Sequence, residues 1–401
     1  MTSRKILMAT GIYPPDIGGP ATMIEAMTVA LCDHGYSCSV LAYGDADAKL
    51  RAGRPDRQFN VTRINKNRRS PLRQAIFLAQ LLRMAKGADL LYATDTYSVG
   101  LSCLLAKKLL KVPYILRFAG DSAWELASST GEVTDDLETF QKRKYGAAIE
   151  ARKRLRKSIM CNADHVIAVS GFMQQITGTI GVKSTKCSLI YNSVDFLNEP
   201  LASTAIAPLI AELRHRLPPD VKLVGTACRL TAWKGVDILI KAAAILKTSP
   251  AKVQVVVMGD GPEKDNLSKL ANDCGMQNEV HFLGCIPQAD MASYLHSLDI
   301  FALCSLYEGL SHTILQAMQA GTPVIASNIG GNPELITHEK TGLLVPVQDP
   351  NSLAEAVAKL VKGPELRRQL ASNAHNELGR YSWNTAVNST CRIIETVLSS
   401  R

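Results

Sequence analysis

No stretch of the chain reaches the ~18 uninterrupted apolar residues of a membrane-crossing helix, so no span is expected. Cys-x-x-Cys spacing is missing too. The ten cysteines are scattered, and Cys228 and Cys304 sit inside apolar runs. That pattern suits reduced core thiols of a cytoplasmic protein and argues against a zinc site or a disulfide framework. The Gly-x-Gly-x-x-Gly spacing of a dinucleotide fingerprint does not occur behind the first strand, where Gly18-Gly19 stands alone. Aromatics are only 5% of the chain and are not interleaved with the basic residues, as a base-stacking surface requires. Nucleic acid is therefore not an expected partner. Residues 4–12 have the basic start and apolar middle of a signal peptide, but the run is short and enters Tyr13-Pro14-Pro15. It reads as a buried first strand.

What is present is ordinary in amount and uneven in placement. The 401 residues leave room for two domains, with 46% apolar and 20% charged side chains typical of a globular protein. The net charge of +9 lies wholly in residues 1–200, which hold 27 Lys and Arg against 18 Asp and Glu. Within that half, Gln141 to Lys157 carries eight cations against the single acid Glu150. A helix over 141–157 would suit an anionic membrane surface or a charged acceptor; a solvated helix face is the plainer reading.

Apolar runs of strand length alternate with amphipathic helical stretches from end to end. Strands are expected near 5–12, 37–43, 88–93, 112–118, 164–169 and 187–190, then near 222–228, 252–258, 279–283, 299–304, 323–326 and 342–345. Residues 44–70 read as a long connection or a β-excursion, and 196–220 as a linker plus one helix. Two βα sets of this kind predict an α/β protein of two Rossmann-like, doubly wound parallel sheets with a cleft between them. The expected division is 1–197 and 198–383, with a C-terminal helix near 384–401 packing back on the first domain.

In parallel sheets ligands gather at the carboxyl ends of the strands. There the second half places Arg229 and Lys234, then Gly259, then Glu308 before a helix that closes at Gly321. An Arg fork, a Lys point charge and the N–H groups of a helix start all favour a diphosphate. Glu308 at the lip can accept hydrogen bonds from hydroxyl groups of the same ligand. In the first half, Gly18-Gly19 lets a ligand approach the backbone closely. Asp121, behind the strand ending near 118, is either a ligand group or the cap of the next helix.

These pieces, in this order, resemble one large family. Tyr-Pro-Pro-Asp-Ile-Gly-Gly-Pro-Ala at 13–21, Gly-Asp-Ser-Ala-Trp-Glu at 120–125, Arg-Leu-Thr-Ala-Trp-Lys-Gly at 229–235, Gly-Asp-Gly-Pro at 259–262 and Tyr-Glu-Gly-Leu-Ser at 307–311 look like those of GT-B fold retaining glycosyltransferases of family 4, the glycosyl transferases group 1. The resemblance covers essentially the whole chain. It implies that Arg229 and Lys234 hold the donor diphosphate, with the backbone near Ser311, His312 and Thr313 beside it, and that Glu308 receives hydroxyls of the donor sugar. It further implies that backbone at Cys285 and Ile286 meets the nucleobase and that Gly19 lies under the diphosphate. Asp121 takes the place of a histidine found beside the transferred sugar in many relatives. Such enzymes usually need no metal and no cofactor beyond the donor, here a UDP- or GDP-sugar. The acceptor class implied is a glycan or a lipid-linked glycan of cell-surface polysaccharide biosynthesis, reached at the cytoplasmic face of the membrane.

One departure bears on activity. The family has two glutamates eight positions apart, and the second position here is Gln316. An amide both accepts and donates, so contact with ribose hydroxyls survives in altered form. Two other readings follow: a sugar-nucleotide epimerase, or a sugar-nucleotide-binding protein weakened as a catalyst.

Overall fold

The computed structural model describes residues 3–16, 18–44, 59–67, 69–193 and 206–400. Of the connection or excursion expected at 44–70, residues 45–58 and 68 lie outside the described residues, as do residues 196–205 of the linker expected at 196–220. The chain divides into two compact units, Met1–Asn192 with Trp383–Arg401, and Ser193–Ser382.

The first unit is built on seven strands, β1 (Lys5–Thr10), β2 (Ser37–Gly44), β3 (Asn60–Asn65), β4 (Leu90–Ala93), β5 (Tyr114–Phe118), β6 (His165–Ala168) and β7 (Cys187–Leu189). They lie in the order β3-β2-β1-β4-β5-β6-β7, every neighbouring pair parallel. Central strands such as β1, β4 and β5 are buried on both faces, which explains their near-continuous apolar sequences. β3 lies in the stretch read as a connection or a β-excursion: its Asn-Val-Thr-Arg-Ile-Asn is mostly half-exposed at the sheet edge, so it carries little apolar signal. The 17-residue helix Trp383–Ser399 falls where a closing helix was expected near 384–401 and belongs to this unit. It packs on helix Gly19–Asp33, and the Tyr36 hydroxyl donates to Glu395 across 2.6 Å.

The second unit has six parallel strands, β8 (Lys222–Ala227), β9 (Val253–Met258), β10 (Val280–Gly284), β11 (Ile300–Leu303), β12 (Val324–Ser327) and β13 (Leu343–Val345). Their order is β10-β9-β8-β11-β12-β13. One face of this sheet forms a continuous core with helices Val236–Leu246 and Pro350–Lys362, through Val224, Val255, Val257, Ile300, Ile325, Leu239 and Val357. Full burial of each such side chain contributes about 1.5–3 kcal/mol, so this core fixes the sheet edge that carries the polar loops. Two Rossmann-like sheets are thus what the alternating pattern predicted.

The predicted basic helix over 141–157 is not one helix. Leu137–Lys142 ends at Arg143, residues 143–146 are not helical, and Ala147–Asn162 begins after Gly146. Several of its cations turn inward. Arg156 is buried against Asp121, and the Lys153 ammonium donates to the Phe140 and Arg143 carbonyls at 2.9 and 2.8 Å.

Candidate functional site

The order of the second sheet reverses its direction of growth between β8 and β11, the place where open α/β sheets bind ligands. β8 leads through Arg229 into the 3-10 turn Ala232–Lys234, and β11 leads into the loop that carries Glu308. The loops are tied together, since the Leu306 N–H donates to the Trp233 carbonyl at 2.7 Å. Lys234 Nζ consequently stands 2.6 Å from Glu308 Oε1. The sequence places these residues 74 positions apart, and the switch in strand order brings them into an ion pair.

Glu308 is 7% exposed and is held by more than the lysine. The Ser305 hydroxyl donates to the same Oε1 at 2.7 Å, and the Gly331 N–H donates to the Glu308 carbonyl at 2.9 Å. Ser327 Oγ donates to the Ser305 carbonyl, and Asn332 Nδ2 donates to the Ser327 carbonyl at 3.0 Å. Ser305, Ser327 and Asn332 are all essentially fully buried. A buried network of this kind fixes one rotamer of the carboxylate, because any other leaves buried donors without acceptors. Both bonds fall on Oε1, so Oε2 takes none of them. Sequence reasoning missed Ser305, Ser327 and Asn332, which are small polar residues in apolar surroundings with no motif of their own.

The other predicted residues of this unit gather on the same carboxyl edge. Ser311 caps helix His312–Gln319 by accepting the Ile314 N–H at 3.2 Å, and its hydroxyl lies 3.1 Å from that of Thr313. His312 and Gln316, four residues apart, share one face of that helix and are half-exposed. Arg229 is exposed, and no ion pair to it occurs among the described residues. Cys285 is exposed just past β10 and Ile286 is buried. Gly259 has φ 134°, and a Cβ there would lie 1.9 Å from the Cys228 carbonyl oxygen. Its part is to let the β9 loop close on the β8 loop, where the Leu230 N–H donates to the Asp260 carbonyl at 3.0 Å. Beneath these loops, burial pushes the Cys228 thiol up to about 11, with Lys234 pulling the other way, and the Cys304 thiol up to about 12. Both stay protonated at neutral pH.

In the first unit the corresponding reversal falls between β1 and β4. Gly18 stands there as the cap of helix Gly19–Asp33, its carbonyl accepting the Ala21 and Thr22 N–H groups at 3.0 and 3.2 Å. Asp95, which sequence reasoning passed over, lies across from it after β4. Its carboxylate accepts the Tyr97 and Val99 N–H groups at 2.9 and 3.3 Å, while burial pushes its pKa up.

Asp121 is where expectation and structure part. It is fully buried, and its Oδ1 accepts the Ala123 and Trp124 N–H groups as the cap of helix Ser122–Ser129. Its Oδ2 pairs with Arg156 and accepts from Gln141 Nε2 at 3.1 Å. A carboxylate so surrounded has no lone pair turned to solvent, so the capping alternative holds over the ligand group. The expectation of a metal-free site also passed over one Asp-x-Asp run, Asp45-Ala46-Asp47, which lies outside the described residues. Among the described residues no group of three or more His, Cys, Asp or Glu is arranged to hold a metal ion, and no helix is long and apolar enough to cross a membrane.

Comparison with known proteins bears on the family and the fold. Residues 17–196 match the Glycosyltransferase Family 4 model, and residues 212–377 match that of Glycosyl transferases group 1. An uncharacterized glycosyltransferase of Methanocaldococcus jannaschii is 26% identical over 97% of this chain and 97% of its own. A D-inositol 3-phosphate glycosyltransferase of Corynebacterium glutamicum is 27% identical over 92% of this chain and 89% of its own. Among solved structures, the Anabaena protein HepE in complex with UDP-glucose superposes with a TM-score of 0.76 at 24% identity, covering 99% of this chain and all of that one.

Proposed function

The chain belongs to the GT-B glycosyltransferases of group 1 and family 4, and from that premise we propose that it is a retaining, metal-independent transferase. The reaction moves a sugar from a UDP- or GDP-sugar to a glycan or lipid-linked acceptor of cell-surface polysaccharide or glycolipid biosynthesis. Residues 198–383 serve the donor, and residues 1–197 with the closing helix serve the acceptor.

The observation that carries this reading is the Lys234–Glu308 pair at the strand-order switch, beside the start of helix His312–Gln319. In our assignment Arg229 and Lys234 neutralise the donor diphosphate and the first turn of the helix adds backbone N–H groups. Glu308 Oε2 accepts hydroxyls of the donor sugar, Gln316 meets the ribose, and backbone at Cys285 and Ile286 meets the base. Gly19 carries the remaining backbone contact. Asp121 acts indirectly, by pinning helix Ser122–Ser129 to Arg156.

Transfer breaks the bond from the anomeric carbon to the diphosphate oxygen and forms one to the acceptor oxygen on the same face of the sugar. The departing diphosphate takes the acceptor proton. The protein contributes positioning and charge stabilisation where negative charge grows on the leaving group. A relative solved with UDP-glucose makes UDP-sugars the first donors to try.

The test is a thermal-shift panel of UDP-, GDP- and ADP-sugars on wild type and Arg229→Ala. A donor at 100 times its Kd stabilises the fold by about 2.7 kcal/mol, which is readily seen. Stabilisation by one nucleotide series, lost in Arg229→Ala, upholds the site and names the base. No response to any nucleotide sugar overturns it. Donor epimerised without an acceptor would favour the epimerase reading instead.

A further inference from the structure

Residues 11–19 lead from β1 into helix Gly19–Asp33 and present Gly18 and Gly19 at the carboxyl edge of the first sheet. Three of these nine residues are glycine, which has no side chain to hold the backbone and loses the most freedom on ordering. Within the loop the Asp16 N–H donates to the Tyr13 carbonyl at 3.1 Å, and the Thr10 hydroxyl donates to the Ile12 carbonyl at 2.8 Å. Further ties reach it from β3.

Arg63 stands opposite Ala42 in the β2–β3 ladder. Its guanidinium lies over the Tyr13 ring, 5.5 Å from the centroid, and its Nη2 donates to the Pro14 carbonyl. One arginine thus grips a fully buried ring and the backbone next to it. A cation over a desolvated ring and a charge-assisted hydrogen bond both outweigh an exposed ion pair. Gly44 at the end of β2 leaves the passage open, since a Cβ there would lie 3.0 Å from Arg63 Nη1. Just past β3, Lys66 Nζ pairs with Asp16 at 2.9 Å, both side chains partly exposed. This end of the strand is itself anchored. Arg73 Nη1 of helix Ser70–Ala85 donates to the Lys66 carbonyl at 2.8 Å, and its guanidinium lies 5.3 Å from the centroid of the Tyr43 ring, which packs on buried Phe77. A chain of contacts therefore runs from the core through β3 to the glycine loop.

We propose that Arg63 is a positioning residue for the transfer reaction, strapping residues 11–19 into one conformation before the sugar nucleotide arrives, with Lys66 as a minor second tie. The proposal rests on the transferase reading for what Gly18 and Gly19 meet. A loop ordered in advance spares the ligand the cost of ordering it, so the strap acts on sugar-nucleotide affinity and leaves the chemical step alone.

The experiment combines amide hydrogen exchange on the full chain with steady-state kinetics of Arg63→Ala, Arg63→Met and Arg63→Lys. In the Ala and Met variants the Asp16 amide should exchange about tenfold faster or more, with β1 and β4 unchanged, as a local opening requires. The KM for the sugar nucleotide should rise roughly tenfold, while kcat and the acceptor KM stay within about threefold. Arg63→Met keeps an apolar stem, so its defect assigns the effect to the guanidinium. Arg63→Lys restores a cation and an N–H group and should recover most of the lost affinity. Lys66→Ala should shift that KM by less than about threefold, because exposed pairs contribute little. Unchanged exchange at Asp16 in Arg63→Ala overturns the proposal, as does faster exchange with a wild-type KM. So does a fall in kcat and melting temperature with no change in KM, the signature of a merely structural arginine. If Arg63→Ala loses protection in β1 as well, the contrast between Arg63→Lys and Arg63→Met decides. Wild type that binds no nucleotide sugar is instead the failure of the transferase reading, and exchange at Asp16 then still upholds or overturns the strap.

Discussion

The two units end their sheets in the same way and use the ends differently. At the carboxyl edge of the second, the buried carboxylate of Glu308 takes the Lys234 and Ser305 donors on Oε1 and neither of them on Oε2. At the carboxyl edge of the first, the carboxylate of Asp121 spends every lone pair on Ala123, Trp124, Gln141 and Arg156. Both residues follow a strand and precede a helix, and both looked like ligand groups in one dimension. The difference lies in what the surrounding helices bring: a buried arginine consumes one acid, and a network of small hydroxyls orients the other without consuming it.

That contrast breaks most visibly at Asp121. Asp121→Ala leaves Arg156 buried without its partner and removes a cap, so unfolding in urea should show a loss of about 3–5 kcal/mol. Gly259→Ala in the second unit should cost about 3 kcal/mol, because the new Cβ meets a carbonyl oxygen in a backbone conformation that alanine disfavours. Glu308→Gln should behave oppositely to Asp121→Ala. Its melting temperature should move little, while transfer falls by about 10²–10³, the usual cost of losing one preorganised electrostatic contact. A Glu308→Gln enzyme with normal kcat/KM would erase the distinction between the two edges.

Gly18→Ala sharpens the comparison from the other side. Its φ is also positive, but the nearest atoms to a Cβ are 3.8 and 3.9 Å away, so only the backbone term of about 1 kcal/mol remains. The smallest effect is expected from pH. Burial lowers the pKa of His165 in the first unit and His281 in the second below the ordinary 6.5. The unfolded chain then binds protons that the folded one refuses, so stability is full above pH 6.5 and declines as the pH falls below it. Chemical denaturation at pH 7.5 and pH 5.5 should show the decline, and His165→Gln with His281→Gln should flatten it.

The parts legible in sequence were those with a period or a spacing. Twelve of the thirteen strands announce themselves as short apolar runs, and β3 fails to because an edge strand needs no apolar face. Arg229, Lys234 and Glu308 could be named from strand-end position and motif. Their meeting required the strand order, in which β8 lies beside β11 and not beside β10. Nothing local distinguishes Asp121 from a ligand group, because the arginine that claims it lies 35 residues away. The same holds for Ser305 and Asn332, whose value is set by a neighbour on another strand.

One minor feature makes the carboxyl edge of the second unit unusually accessible to chemistry. Among the described cysteines Cys285 is the exposed one, while Cys228 and Cys304, close by in the fold, are held as protonated thiols. Alkylating reagents attack thiolates they can reach, so a brief treatment should tag this position first. A dye placed there would sit just past β10, at the rim assigned to the base. The native chain thus carries its own attachment point for an optical reporter of occupancy, without any engineered cysteine.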